Sequence, residues 1–520
     1  MKNSKYSNMK RLTIYAVFVL VVTFTSCSKS FLDRPAQDQP TLETYYQTPA
    51  QVKGATGVLY GYPWFDFQDK AFHCIGEVMS GNMQTWDPQY SSFLNFTTQS
   101  TDPRLAEAWR ALYKVVGWSN VIINTFEQKK AQGGDPVILD PGIAEARFIR
   151  GTAYFYIARI WGDAPIVTNP VDLAVSGDFK VPRHLHNDVL RFALEDLQYA
   201  EEHLPETNDK GRVTMYSAKG MMAKLYLYRK DYANAKSKAN EVIQSGLYDL
   251  FPDYEGMFTK SVNNNNIESL FALQWMTVGD WGVQNTIQAF VAPGNLLVNG
   301  DGWSAVVPSI DMLNSYEAGD KRKEWSNMLH GQTYPDWRNN AYPTGYVYDT
   351  TAPGNKRQTR SNSTKYVVGP GSADEPVQFM RTSICNYILR YADVLLIYAE
   401  ATLGESASTS DGTALAAINK VRERAELSAL SSFTREDILR ERRSEFAYEG
   451  DYWFDVQRQG FTRAKQIIEN QERGTYSEDG STINSVMVTT FVNESQLYLP
   501  IPQNETAQNP KLLLPPVPYF

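Results

Sequence analysis

The stretch MYSAKGMMAKLYLYRKDYANAKSKANEVIQSG, Met215 to Gly246, reads as two helices folded against each other. Met222, Ala223 and Tyr226 share one face of the first helix, and Lys230-Asp231 turns the chain. Tyr232, Ala235, Ala239 and Val242 then recur at three- and four-residue steps along the second. Small residues sit where the two backbones must cross. This large-small alternation is that of a tetratricopeptide-like unit, whose outer face a single hairpin leaves uncovered, so that stacked neighbours are required. The closing proline usual in such units is absent, and Leu247 stands there instead. A lone hairpin is the alternative, and the flanking sequence decides.

Toward the N-terminus, Leu105, Trp109, Leu112, Tyr113, Val116, Asn120 and Ile123 lie on one helical face. Asn120 on that face is expected to be a buried hydrogen-bonding residue rather than a ligand contact. Ile143–Trp161 and Asp188–Leu204 form the next helical pair, the first stopped by Gly162-Asp163-Ala164-Pro165. Toward the C-terminus, Asn386–Leu403 reads as a helix with Leu389, Ala392, Leu395 and Ala399 on its apolar face, answered by Thr413–Leu427. Thr434 with Asp437 forms a capping box that opens a further helix, closed at Gly450. The expected fold is therefore mainly α: a solenoid of four helical hairpins, spanning about 104–249 and 386–460. An irregular, loop-rich lobe, about 61–103 and 250–385, interrupts it; both stretches are rich in Trp, Pro and Gly, and loops that long usually carry function.

The first residues are a separate matter. Lys2, Lys5, Lys10 and Arg11 precede an apolar run, Leu12–Phe24, too short for the ~20 residues of a membrane span. Residues 1–26 read as a secretory signal, and Cys27 after Thr25-Ser26 as the lipidated cysteine of a bacterial lipoprotein; an ordinary cleavage nearby, with Cys27 incidental, is the alternative. Residues 27–40 then form a tether and 41–520 the body. Cys74 and Cys385 can form at most one bridge, so stability must come from packing. A net charge of −8 argues against nucleic acid, which needs a basic face. Aromatic residues make up 13% of the chain, more than helix packing needs, which directs attention to stacking surfaces.

Several stretches resemble the SusD/RagB-like surface lipoproteins of Bacteroidetes. At the N-terminal end these are Phe31-Leu32-Asp33, Trp109-Arg110-Ala111-Leu112-Tyr113, and Glu145 to Gly151 running on to Gly162-Asp163-Ala164-Pro165. Stronger are Leu389 to Leu396, Tyr398-Ala399-Glu400-Ala401, Ile418-Asn419-Lys420-Val421-Arg422, Glu441-Arg442-Arg443 with Glu445-Phe446, and Trp453-Phe454-Asp455. Leu499-Pro500-Ile501-Pro502 and Asn509-Pro510 fit the family's tail, whose final Gly-Tyr is Pro518-Tyr519 here. The resemblance implies a non-catalytic protein, lipid-anchored on the outer face of the outer membrane. It would bind a glycan, or in some members a peptide, and deliver it to a SusC-like TonB-dependent transporter. No cofactor and no metal are expected from the residues themselves; His184 and His186 alternate in a loop with no nearby cysteine or helical His-Glu pair.

Sugar binding needs an aromatic platform and a few orienting polar groups. Trp64, Asp66, Trp86 and Tyr90 offer these in the first irregular stretch, and Trp281, Asp301 and Trp303 in the second. Each tryptophan has packing as its alternative role, Trp303 above all, since Gly302-Trp303 leading to Asp320-Lys321-Arg322 resembles a family packing element. Arg and Glu between Arg442 and Asp455 are read as ion pairs tying helices together, not as catalytic groups. With 58 acidic residues a glycosidase pair is the enzymatic rival, and a purely structural adaptor the other.

Overall fold

The computed structural model describes residues 45–520 apart from 295, 298–301, 353–357, 373–374 and 379. Cys27, the signal and the tether lie outside the described residues, as does Asp301.

The hairpin read first is present as α5 (Met215–Tyr228) and α6 (Tyr232–Gln244). Lys230 turns between them with φ +60°, and Asp231 caps α6 by accepting from the Asn234 amide. Ala235, Ala239 and Val242 are fully buried, so the small residues do set the helix crossing. Before this pair come α1 (Pro49–Gly57), α2 (Pro103–Ala131), α3 (Pro136–Trp161) and α4 (His186–His203). After it come α7 (Tyr391–Leu403), α8 (Gly412–Arg424) and α9 (Arg435–Glu445). From α2 to α6 each helix packs on the next, and α7 packs on α6 and carries α8 and α9. The chain thus leaves the stack at Gln244 and, on returning at Tyr391, resumes it on the helix it left. The protein is mainly α, a tetratricopeptide-like stack with short antiparallel strand pairs among the described residues of the intervening lobe.

Three details differ from the sequence reading. Asn386–Arg390 is strand β4, not helix; it pairs antiparallel with β2 (Ser269–Leu273) and is buried throughout. Its partner lies too far away in sequence for a local pattern to reveal it, and every residue of it is covered, which erases the alternation of a half-buried strand. Second, α3 begins at Pro136, the first helical position, where a missing amide donor costs least, and it carries Pro141 further inside. Third, much of 61–103 is not open loop. Tyr62–Trp64 is a 3₁₀ turn, Phe67–Ala71 and Cys74–Val78 are π-helical, and most of their side chains are buried. At Gly76 an added Cβ would lie 2.1 Å from the Gly450 carbonyl oxygen, so this segment is pressed against the chain following α9. Gly76→Ala is expected to lower the melting temperature by several degrees, readable by circular dichroism, through that backbone clash.

Charged residues clamp lobe to stack. Arg390 reaches Glu268 (2.6 Å), Glu445 (2.5 Å) and Glu449 (2.8 Å), all buried. Arg322 reaches Asp320 (2.8 Å), Glu441 (2.6 Å) and Glu445 (3.1 Å), and Arg424 bonds Glu268 and Glu445. Arg442 pairs with Asp393 (2.8 Å) and Asp455 (2.7 Å), the structural role expected of it. Asn120 likewise is internal, accepting from Arg150 at 2.6 Å and donating to the Val167 carbonyl at 2.7 Å. Cys74 and Cys385 are both free and buried.

Candidate functional site

Two strands join the two irregular stretches. β1 (Met83–Thr85), placed ahead of β2 in the chain, pairs antiparallel with β3 (Val306–Pro308, between β2 and β4), with Thr85 opposite Val306. Trp86 leaves β1 just where Trp303-Ser304-Ala305 enters β3, so residues more than two hundred positions apart become neighbours. The indole N–H of Trp86 donates to the Ser304 carbonyl at 2.8 Å, and Thr85 Oγ1 donates to the Ala305 carbonyl at 2.7 Å. These bonds fix the edge of the Trp86 ring and leave its side chain 56% exposed; Trp303 is 40% exposed. Gly302 makes the approach of Trp303 possible, because an added Cβ would stand 2.0 Å from the Pro293 carbonyl oxygen.

The 62–70 segment brings the third tryptophan in. The ring of Phe65 meets Trp281 edge-on at 5.3 Å, and Trp281 is 51% exposed. Arg381 lies 5.5 Å from the Trp281 ring and Lys70 lies 5.9 Å from the Trp303 ring. Lys70 is held by Asp69 at 2.6 Å, and Asp69 accepts in turn from Thr286, which belongs to the stretch carrying Trp281. Asp66 is half-exposed and pairs with Arg110 of α2 at 3.2 Å. Beside it, Tyr62 packs on Trp118 at 5.6 Å, with Lys114 Nζ 3.9 Å from the Tyr62 ring. Trp86, Trp281 and Trp303 are thus exposed indoles linked through Ser304, Phe65 and Lys70, with Lys70 and Arg381 beside their rings, and they are the candidate stacking surfaces.

Not every expected residue reaches this face. Trp64 is a correction: it is completely buried, its N–H donates to the Leu59 carbonyl at 2.9 Å and its ring packs edge-on against Tyr156. No face of it is left for a ligand. Tyr90 is a second correction: it is buried, edge-on to Phe290 at 5.1 Å, and burial pushes its hydroxyl up to about 12. Lys70, Lys114, Trp118 and Arg381 escaped the sequence reading. Lys114 and Trp118 had a signal, since they stand one turn apart on α2 beside its apolar stripe.

The comparisons with known proteins agree with this architecture. Residues 267–516 match the sequence model described as SusD family, and residues 66–227 the one described as starch-binding associating with outer membrane. A SusD-like protein of Bacteroides ovatus is 34% identical, the match covering 98% of both chains. SusD-like protein P2 of Formosa agariphila is 29% identical over 86% of this chain and 91% of that one. Among solved structures, one containing a xylogluco-oligosaccharide superposes with a TM-score of 0.80 at 33% identity, covering 90% of this chain and 99% of the other. Surface glycan-binding protein A from Bacteroides fluxus shares the fold, with a TM-score of 0.69 at 21% identity, covering 89% of this chain and 97% of that one.

Proposed function

The chain belongs to the SusD family, and we propose that it captures a glycan on the face carrying Trp86, Trp281 and Trp303 and delivers it to a SusC-like TonB-dependent transporter. The observation that carries this reading is the exposure of three indoles, brought from distant parts of the chain and linked through Ser304, Phe65 and Lys70. A large apolar ring left in water costs free energy unless it has a partner, and the flat C–H face of a sugar is such a partner. Lys70, Arg381 and the half-exposed Asp66 supply donors and acceptors for hydroxyl groups around the rings. The glycan to try first is a xyloglucan oligosaccharide, the kind of ligand held by the relative at 33% identity.

The role is binding without turnover. Asp66 and Asp69 are each engaged by a cation, Arg110 and Lys70, which suits carboxylates that accept hydrogen bonds rather than a free acid and base pair. Lipidation at Cys27 places the protein on the outer face of the outer membrane, where the transporter supplies passage across the bilayer. Among the described residues no helix is long and apolar enough to cross a membrane.

Affinity electrophoresis of the chain from Ser28 onward, through gels containing xyloglucan, other plant polysaccharides, and host and microbial polymers, tests the reading. Retardation by one polymer with no reducing sugar released is the expected outcome. Release of product assigns a hydrolase instead, and uniform mobility across the panel removes polysaccharide capture in favour of short oligosaccharides or peptides. A further expectation concerns Gly302→Ala, which displaces Trp303 without touching the ligand. It should weaken binding about tenfold in calorimetry, in keeping with the partial loss of one well-placed aromatic contact.

A further inference from the structure

We propose that the cavity between the helix Tyr254–Thr259 and the turn Thr333–Trp337 is a second saccharide site, sized for one or two sugar rings and separate from the open tryptophan face. The cavity measures about 390 Å³, within the ~300–1,000 Å³ typical of small-molecule sites. Its aromatic wall is a stacked pair: the rings of Tyr334 and Trp337 lie 4.1 Å apart with their planes 8° from parallel. Trp337 is only 5% exposed, and its indole N–H, which makes no hydrogen bond among the described residues, is not one of the buried unpaired atoms and so stays accessible. Two carboxyl groups share the lining, and one of them has a buried oxygen without a partner. Glu255 has neither an ion pair nor a hydrogen bond to its carboxylate among the described residues, and Glu375 uses Oε2 to accept from the Ser261 amide at 2.6 Å while Oε1 is buried without a partner.

Buried polar groups are ordinarily paired, and leaving one unpaired is costly, so the buried Oε1 of Glu375 calls for a donor, while the accessible Trp337 N–H and Glu255 carboxylate offer a molecule in the cavity one more donor and one more acceptor. A sugar ring meets all three demands. Its C–H face packs on the aromatic wall, its hydroxyls donate to Glu255 and Glu375, and one of its oxygens accepts from Trp337. A simple cation satisfies the carboxylates but leaves the indole donor unpaired, and the rim already holds Lys260, 3.9 Å from Asp336. Burial first, and Asp253 second, push Glu255 up to about 7, so its full acceptor strength is available only above neutral pH. The site lies in the same lobe as the open face: the segment carrying Glu375 continues to Arg381, which stands 5.5 Å from the ring of Trp281.

The choice of a sugar as ligand rests on the glycan-binding reading; the existence of the site does not. The test therefore uses a Trp86→Ala/Trp281→Ala/Trp303→Ala variant, in which the open face is disabled. Glucose, galactose, xylose and cellobiose at millimolar concentration are offered to it at pH 8, with saturation-transfer NMR and tryptophan fluorescence as readouts. At least one of them should bind. Glu255→Gln, nearly isosteric, and Trp337→Phe, added to the triple variant, should each weaken binding at least tenfold, and lowering the pH from 8 to 6 should weaken it severalfold. Glu255→Gln keeps the test valid if Trp337→Phe fails to fold. No sugar bound to the triple variant, binding indifferent to both substitutions, or preferential binding of a diamine such as putrescine overturns the proposal. Failure of the open-face reading shows separately, as unchanged polysaccharide retention by the triple variant.

Discussion

Replacing Trp281 and Trp303 together by alanine is expected to reduce glycan affinity at least a hundredfold and to leave the thermal midpoint within a few degrees of the parent. The two effects separate because these rings are half in water. Each contributes little to the core, and removing it forfeits mainly the ligand's stacking partner. A well-placed aromatic contact at a binding hot spot is worth about 2 kcal/mol, or roughly thirtyfold in affinity, and two such losses add incompletely. Trp64 provides the contrast. Trp64→Ala empties a fully buried indole site and should cost about 3–5 kcal/mol of stability, measured by urea unfolding, while protein that remains folded keeps its affinity. If Trp281→Ala/Trp303→Ala binds as well as the parent, the open face is not the platform.

The second large effect lies in the clamp between lobe and stack. Arg390→Met should destabilise the protein by about 3–5 kcal/mol, because it leaves Glu268, Glu445 and Glu449 buried with one guanidinium fewer among them. Arg390 belongs to strand β4 while Glu445 ends α9, so the loss should loosen the lobe before the stack, visible as faster amide exchange in β2 and β4. The same network sets the response to acid. Burial alone raises the pKa of Glu445, but Arg424, Arg390 and Arg322 outweigh it and hold the carboxyl well below its ordinary 4.5. A carboxyl whose folded value is depressed binds protons more readily in the unfolded chain. Its stabilising contribution is therefore complete above about pH 5 and is lost progressively as pH falls below the unfolded value. Asp451 is depressed in the same direction by Lys224 and Arg159 against its own burial. Urea midpoints should accordingly fall steeply below about pH 5, and less steeply in Arg390→Met, which has already lost part of the network.

The stack was legible in the sequence because its information is local. Ala235 and Ala239 facing the preceding helix, the Thr434–Asp437 capping box and the stop at Gly162 are each written within one or two helical turns. The clamp was legible in kind, since Arg442 and its acidic neighbours recur at helical spacing, but its reach into the lobe through Arg322 and Glu268 was not. The site was legible in composition only. Trp64 and Trp86 stand in one aromatic-rich stretch, and nothing nearby tells them apart. What separates them is the pairing of β1 with β3, which lifts Trp86 onto the surface, and the 3₁₀ turn that folds Trp64 inward. Strand β4 was missed for the same reason, as its partner β2 lies more than a hundred residues away. The cavity walled by Tyr334 and Trp337 depends on three separate segments meeting, and no periodicity announces it.

The most direct measurement is a crystal structure of the protein grown with the polysaccharide fragment that electrophoresis selects. The account predicts sugar rings lying flat on Trp86, Trp281 and Trp303, with hydroxyls reaching Lys70, Arg381 or Asp66. Well-ordered sugar elsewhere on the protein, with these three indoles bare, contradicts it.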